Sequence, residues 1–183
     1  MYTGTYLNPS NAAFKKRLNS EIYVDKTDLI KFCNSRVETG NCFICSTRPR
    51  RFGKSMAIDM LTAYYSKGCT SNELFDELNV SKYNLENKTE LKLSKKFTSY
   101  LNNFDVIRID MQDVMASIGN NSSMDAVDWI QHEVIIELKE VYGDCVKEGY
   151  ELNSVLKNIF KIKKKQFIIL IDEWDALFRL DKD

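Results

Sequence analysis

The eight residues from Arg48 to Ser55, RPRRFGKS, constrain the fold of this chain more than any others. They close on Gly53-Lys54-Ser55, follow an apolar run from Cys42 to Cys45, and precede a helical pattern from Met56 to Tyr64. Strand, loop, Gly-Lys-Ser and helix, in that order, are what a phosphate-binding loop needs. Backbone N–H groups at a helix start converge on an anion, and the helix dipole adds partial positive charge there. In this reading Arg50, Arg51, Phe52, Gly53, Lys54, Ser55 and Met56 surround the phosphates. Lys54 reaches the β- and γ-phosphates, and Ser55 sets its hydroxyl on Mg²⁺. The full pattern G-x-x-x-x-G-K-[ST] has glycine at its first position, where this chain has Arg48. The tripeptide alone also suits an ordinary basic helix start on a surface.

A second motif shifts the balance toward a nucleotide. Phe167 to Ile171, FIILI, is wholly apolar and fits a buried parallel strand. It runs into Asp172-Glu173. Ligands of open α/β sheets bind at the C-terminal tips of the strands, where a carboxylate can hold Mg²⁺ directly or through water. Asp172 is the expected metal ligand, with Ser55. Glu173 is the expected group that orients or deprotonates the attacking water. A core strand followed by turn acids is the plainer alternative.

The residues Tyr23-Val24-Asp25-Lys26-Thr27, RPRRFGKS and FIILIDEWD together resemble the AAA-ATPase-like family of bacterial P-loop proteins. Its members carry a YVDKT segment, an RPRRFGKS loop and an LIDEYD strand end, so the resemblance makes Arg48 the family's own form of the loop. Trp174 stands at the usual tyrosine. The resemblance runs from about Phe14 to Leu177. It implies an α/β, P-loop NTPase-like, three-layer αβα fold around a parallel sheet, with ATP and Mg²⁺ as ligands. Family members often continue into a domain similar to PD-(D/E)XK nucleases, and nothing in this sequence matches that domain.

The length of 183 residues suits a single domain with a sizeable core. Lys+Arg and Asp+Glu both number 26, so no global field favours nucleic acid or a membrane. A nucleic-acid role therefore rests only on the family's usual partner domain. The N-terminus lacks a basic-then-apolar leader, and the apolar runs fall short of the ~20 residues of a membrane helix, which suggests the cytoplasm. Five cysteines, an odd number, argue against a disulfide framework. Cys42 and Cys45 have C-x-x-C spacing, but i and i+3 of a strand point to opposite faces, so core packing is preferred to a metal or redox pair. His132 is expected at or near the surface, with no ligand role.

Further along, Asn11–Leu18 reads as a short helix, and Asp25 or Thr27 as the cap of a helix bearing Leu29, Ile30 and Phe32. Asp25 and Lys26 are candidates to approach the base or the loop, set against a plain capped helix with a solvated lysine. Helices are also expected over 71–78 and 91–100, and a second parallel strand over 104–111. A long helix begins at Ser122 or Ser123 and carries Val127, Ile130, Val134, Leu138 and Val141. Another carries Leu152, Val155, Leu156 and Ile159. Lys161, Lys163, Lys164 and Lys165 read as a solvated helix end.

Asp172-Glu173 resembles the acidic pair of the additional-strand class of P-loop NTPases. There, a strand later in the sequence lies between the loop strand and the acidic strand. With Asp183 last, the favoured expectation is a sheet truncated after the acidic strand, the N-terminal portion of a longer domain; the alternative is a smaller sheet in which the loop strand and the acidic strand pair directly. A C-terminal nuclease-like domain or other subunits would then be the missing partners. The expected function is Mg-dependent ATP binding, with hydrolysis in the complete protein and Lys54 and Glu173 as catalytic residues. The alternative is a non-catalytic nucleotide-binding or scaffold module.

Overall fold

The structure, a computed structural model, describes residues 2–47, 49, 51–81, 98–119, 123–176 and 178, with the backbone alone at 123–125. It mixes helices with a small parallel sheet and resolves into two compact units: residues 1–9 with 105–183, and residues 10–104.

The second of these units is built on helices α1 (Ala12–Leu18), α2 (Asp28–Asn34), α3 (Lys54–Tyr65) and α4 (Asn72–Phe75). Every residue of α3 from Asp59 to Tyr65 is buried, so its C-terminal half is enclosed on all sides. Phe14, Tyr64 and Phe75 form the centre of an aromatic cluster, with Phe14 stacked on Phe75 at 5.4 Å and Tyr64 edge-on to Phe75 at 5.7 Å. Buried hydroxyls need partners, and Asn34 supplies both. Its Nδ2 donates to the Tyr64 hydroxyl at 2.8 Å, and its Oδ1 accepts from the Tyr65 hydroxyl at 2.7 Å, tying α2 to α3. Arg17 Nε to Asp59 Oδ2, 3.2 Å, ties α1 to α3. At the C-terminal end of α3, Asn102 Nδ2 donates to the carbonyls of Ala63, Tyr64 and Ser66, satisfying acceptors that the end of a helix leaves over. The rear of α3 is thus fixed, and its front faces the Gly-Lys-Ser turn.

The expected strand over 42–46 is corrected. Residues 42–47 carry no strand, and Phe43 is 93% exposed. An apolar stretch becomes a strand only when a neighbour takes its backbone groups, and no described strand pairs with it. Cys42 and Cys45 are accordingly exposed instead of packed in a core.

The other unit holds strands β1 (Asp105–Asp110) and β2 (Phe167–Asp172), which pair in parallel from Asp105↔Phe167 to Asp110↔Asp172. Between them run α5 (Met111–Ile118), α6 (Ser123–Tyr142), a 3-10 turn (Gly143–Cys145) and α7 (Leu152–Lys163), the helical crossover that parallel strands require. Leu7, Ile107, Val114, Val134, Leu138, Val155 and Ile159 form the core under the sheet. The N-terminal segment runs antiparallel beside β1: Arg108 N donates to Tyr6 O at 2.8 Å and Asn8 N to Val106 O at 2.7 Å. Glu137 of α6 pins it, its carboxylate accepting from the amides of Thr5, Tyr6 and Leu7 at 2.6–3.3 Å. The buried Asn8 and Asp105 pair at 2.8 Å, and the Tyr142 hydroxyl donates to Asp105 at 2.6 Å. β2 is less enclosed than its apolar sequence implies, because helices cover one face: Leu170 is buried while Ile169 and Ile171 stay nearly half exposed.

The helices read from periodicity at the start of the chain, and those that become α6 and α7, stand where the pattern places them, with bounds shifted by a residue or two, whereas residues 112–122, which read as a loop for their Asn and Ser, instead begin with α5, capped by Asp110. The expected helix over 71–78 is reduced to α4, and the one over 91–100 falls mostly outside the described residues. Among the described residues, no helix is long and apolar enough to cross a membrane.

Candidate functional site

Helix α3 opens on Gly53, at φ 78 and ψ 33. Arg51, two residues earlier, is also left-handed at φ 68. A side chain at 53 would be strained by that φ, and it would push aside the tips of two flexible neighbours. A Cβ there would stand 2.6 Å from Lys26 Nζ and 3.1 Å from Met56 Cε. The first backbone bond of the helix runs from Ala57 N to Gly53 O at 3.1 Å, so the amides of Lys54, Ser55 and Met56 lie ahead of the helical ladder. No acidic residue stands in the first turn, and the positive end of the dipole keeps its sign there. A twelve-residue helix begun in this way is a backbone cradle for an anion.

Lys54, Ser55 and Met56 are half-buried in that turn, while Arg51 and Phe52 are exposed. Arg48 and Arg50, the latter an expected phosphate contact, lie outside the described residues. Lys26, which the sequence left between base, loop and solvent, reaches the loop: its ammonium donates to the Phe52 carbonyl. Asp25 turns the other way and fixes the turn ahead of α2, accepting from Thr27 N at 2.8 Å and Thr27 Oγ1 at 2.7 Å.

The acidic pair belongs to the other unit and is built by β2. Asp172 is 3% exposed. Its Oδ1 accepts from Glu173 N at 3.0 Å, and its Oδ2 has no hydrogen-bond partner among the described residues. Glu173 is half-buried and left-handed at φ 50, an outlier of the kind that collects at functional turns. Across the parallel pair, in register with Asp172, stands Asp110. It caps α5 by accepting from Gln112 N at 2.9 Å and Asp113 N at 3.4 Å. Burial raises its pKa above the ordinary carboxylate value, the charges of Asp113 and Asp172 add to the rise, and the two amides oppose it.

Asp110 is the site residue that sequence reasoning missed. The available signal was that the strand read over 104–111 also ends on an acid, and adjacent parallel strands present their tips side by side. His132 is exposed, as expected. Among the described residues, no group of three or more His, Cys, Asp or Glu is placed to hold a metal ion. The residues present nevertheless suit the ligands. An orphaned, buried carboxylate oxygen suits a hard cation that takes one or two carboxylates and completes its shell with phosphate and water. A left-handed glycine that opens a long helix suits a phosphate.

A family model named AAA-ATPase_like, described as a predicted AAA-ATPase, matches residues 12–180. The chain belongs to this family. No curated protein and no solved structure matches it. Membership of a predicted ATPase family supports nucleotide binding at a general level.

Proposed function

We propose that this member of the predicted AAA-ATPase family binds Mg-ATP at the Gly53-Lys54-Ser55 turn and hydrolyses it. The observation that carries the reading is Gly53: left-handed, and opening a long helix whose rear half is locked in a core. Amides held by a rigid helix meet a phosphate with little reorganisation.

In this reading the amides of residues 53–56 and the Lys54 ammonium bind the phosphates, flanked by Arg50, Arg51 and Phe52. Ser55 and Asp172 would hold Mg²⁺, which when bound neutralises charge developing on the phosphoryl oxygens. That both act on one ion rests on the order of their motifs along the chain. Glu173, beside Asp172, would orient water and accept its proton. The fold of the reading is a three-layer arrangement around a parallel sheet, and the β1–β2 pair with its helical crossover supports it.

Thermal unfolding with and without Mg-ATP tests the proposal, with Lys54→Ala as control. A ligand bound only by the folded state at a hundred times its Kd adds about 2.7 kcal/mol. A rise in the parent that is absent from Lys54→Ala is expected. Equal behaviour of the two proteins would sink the reading.

A second reading, a non-catalytic nucleotide-binding or scaffold module, is favoured by one observation. Residues 42–47 form no strand ahead of the loop, and Phe43 and Ile44 are exposed there. Mg-ATP binding without phosphate release would support it.

A further inference from the structure

The YVDKT segment carries a feature that the proposed nucleotide roles leave unused. Lys26 sits between two anchored neighbours. Asp25 Oδ1 accepts from Thr27 N and Thr27 Oγ1, and Asp25 Oδ2 accepts from Asn79 N at 2.6 Å. Thr27 is fully buried, and its Oγ1 accepts from Val80 N at 3.0 Å. On the far side, Leu29 N donates to Lys26 O at 3.0 Å and Ile30 N to Thr27 O at 2.9 Å, which starts α2. The backbone on both sides of Lys26 is therefore held by α2 and by residues 79–80. A long, flexible lysine stem leaves from a fixed point, so less freedom is lost when its tip is engaged.

That tip ends on the phosphate loop. The ammonium donates to the Phe52 carbonyl and lies where a Cβ of residue 53 would stand. The bond falls between the two left-handed residues, Arg51 and Gly53. Left-handed geometry at a residue other than glycine is unfavourable, and it persists where surrounding contacts over-determine it. Phe52 is 59% exposed, so its ring does little to hold the loop.

We propose that Lys26 is a positioning residue of the phosphate loop: its ammonium braces the Phe52 carbonyl, holds Gly53 in the left-handed turn, and so presents the amides of residues 53–56 as an anion cradle before any ligand arrives. It also brings a second cation beside the cradle, after Lys54. The brace concerns the ligand-free loop; its consequence for ATP rests on the nucleotide reading above.

The test compares Lys26→Met, which keeps the stem and removes the charge, with Lys26→Arg, which restores a cationic donor. Amide hydrogen exchange is followed residue by residue in the ligand-free chain, and Mg-ATP affinity is measured on the same proteins. In Lys26→Met, exchange at Ala57, whose amide closes the first turn of α3 on Gly53 O, is expected to speed up about tenfold, the ratio one lost hydrogen bond to a charged group implies, with α2 and the rear of α3 unchanged. Lys26→Arg should restore most of the protection, and a merely space-filling lysine would show no such rescue. Mg-ATP affinity should fall about tenfold in Lys26→Met, because the cradle must then be ordered on binding. Unchanged exchange at Ala57, or equal acceleration throughout the unit, overturns the brace. Faster exchange with undiminished ATP affinity overturns its role in binding. Faster exchange in a chain whose parent binds no Mg-ATP upholds the brace and rejects the nucleotide reading.

Discussion

Replacing Asp172 by asparagine should stabilise the ligand-free protein while removing its response to Mg-ATP. The carboxylate is 3% exposed, and its Oδ2 has no hydrogen-bond partner among the described residues. A buried acceptor left in that state costs about 1–3 kcal/mol. Asp110 stands in register across the parallel pair, and neighbouring strands lie about 4.8 Å apart. Two carboxylates at about 5 Å repel by about 3 kcal/mol at an effective dielectric of about 20. Asp110 is half exposed, so solvent screening lowers this to about 1 kcal/mol. Asparagine keeps an oxygen for Glu173 N and offers Asp110 an N–H donor in place of a charge. The net gain is then about 2 kcal/mol, or about 4–8 °C in Tm for a chain of this size. Thermal unfolding in EDTA reads this gain directly. In Mg-ATP the order should reverse, because the parent gains ligand stabilisation and Asp172→Asn does not. A Tm that falls in EDTA would refute the reasoning: the carboxylate would then be held on both oxygens as part of the fold, with none left for a cation.

Other outcomes follow from the same structure. Glu137→Gln should lose about 2–3 kcal/mol in urea unfolding, since the amide nitrogen it introduces cannot accept from Thr5, Tyr6 or Leu7; a midpoint within error of the parent would show that the N-terminal segment is held elsewhere. The raised pKa of Asp110 means that the unfolded chain releases this proton first as pH rises, so this group lowers stability between its ordinary carboxylate value and the raised one. Asp110→Asn keeps the cap on α5, and its stability relative to the parent should therefore grow as pH rises through that window, measured by denaturant unfolding along a pH series. A thiol reagent should modify Cys42 and Cys45 quickly in the native protein and reach Cys33, Cys69 and Cys145 only in denaturant, because the last three are buried and burial pushes the Cys33 thiol up to about 11. Fast labelling of three or more thiols would contradict the described packing.

Much of the site was legible in the linear order of residues. Gly53-Lys54-Ser55 before a helix announces its geometry because a helix start is a local event: one left-handed residue, a few amides ahead of the helical ladder and a dipole. The acidic end of FIILID is legible for a similar reason, since a strand that alternates faces must place its last residue at the sheet tip. Residues 42–46 misled because an apolar run states a preference to be buried and says nothing of whether a partner strand is present. Cys42 and Cys45 followed that error into an expected core. Asp110 was passed over because its place beside Asp172 is a matter of register between segments about sixty residues apart.

The sequence by itself determined α1, α2, α3, α6 and α7, the strands β1 and β2 with their chemistry-bearing tips, and membership of a predicted ATPase family, but not α5, whose Met111–Ile118 reads as the start of a loop. Those depend on periodicity, caps and short motifs, whose physics acts over a few residues. Only the tertiary structure decided that Lys26 grips the loop at Phe52, that Glu137 gathers the amides of the N-terminal segment, and that Asp110 and Asp172 share a register with one carboxylate oxygen left over. Each of these is a contact between distant segments. Side-chain reach and the satisfaction of buried polar groups select such contacts, and neither is set until the chain has folded back on itself.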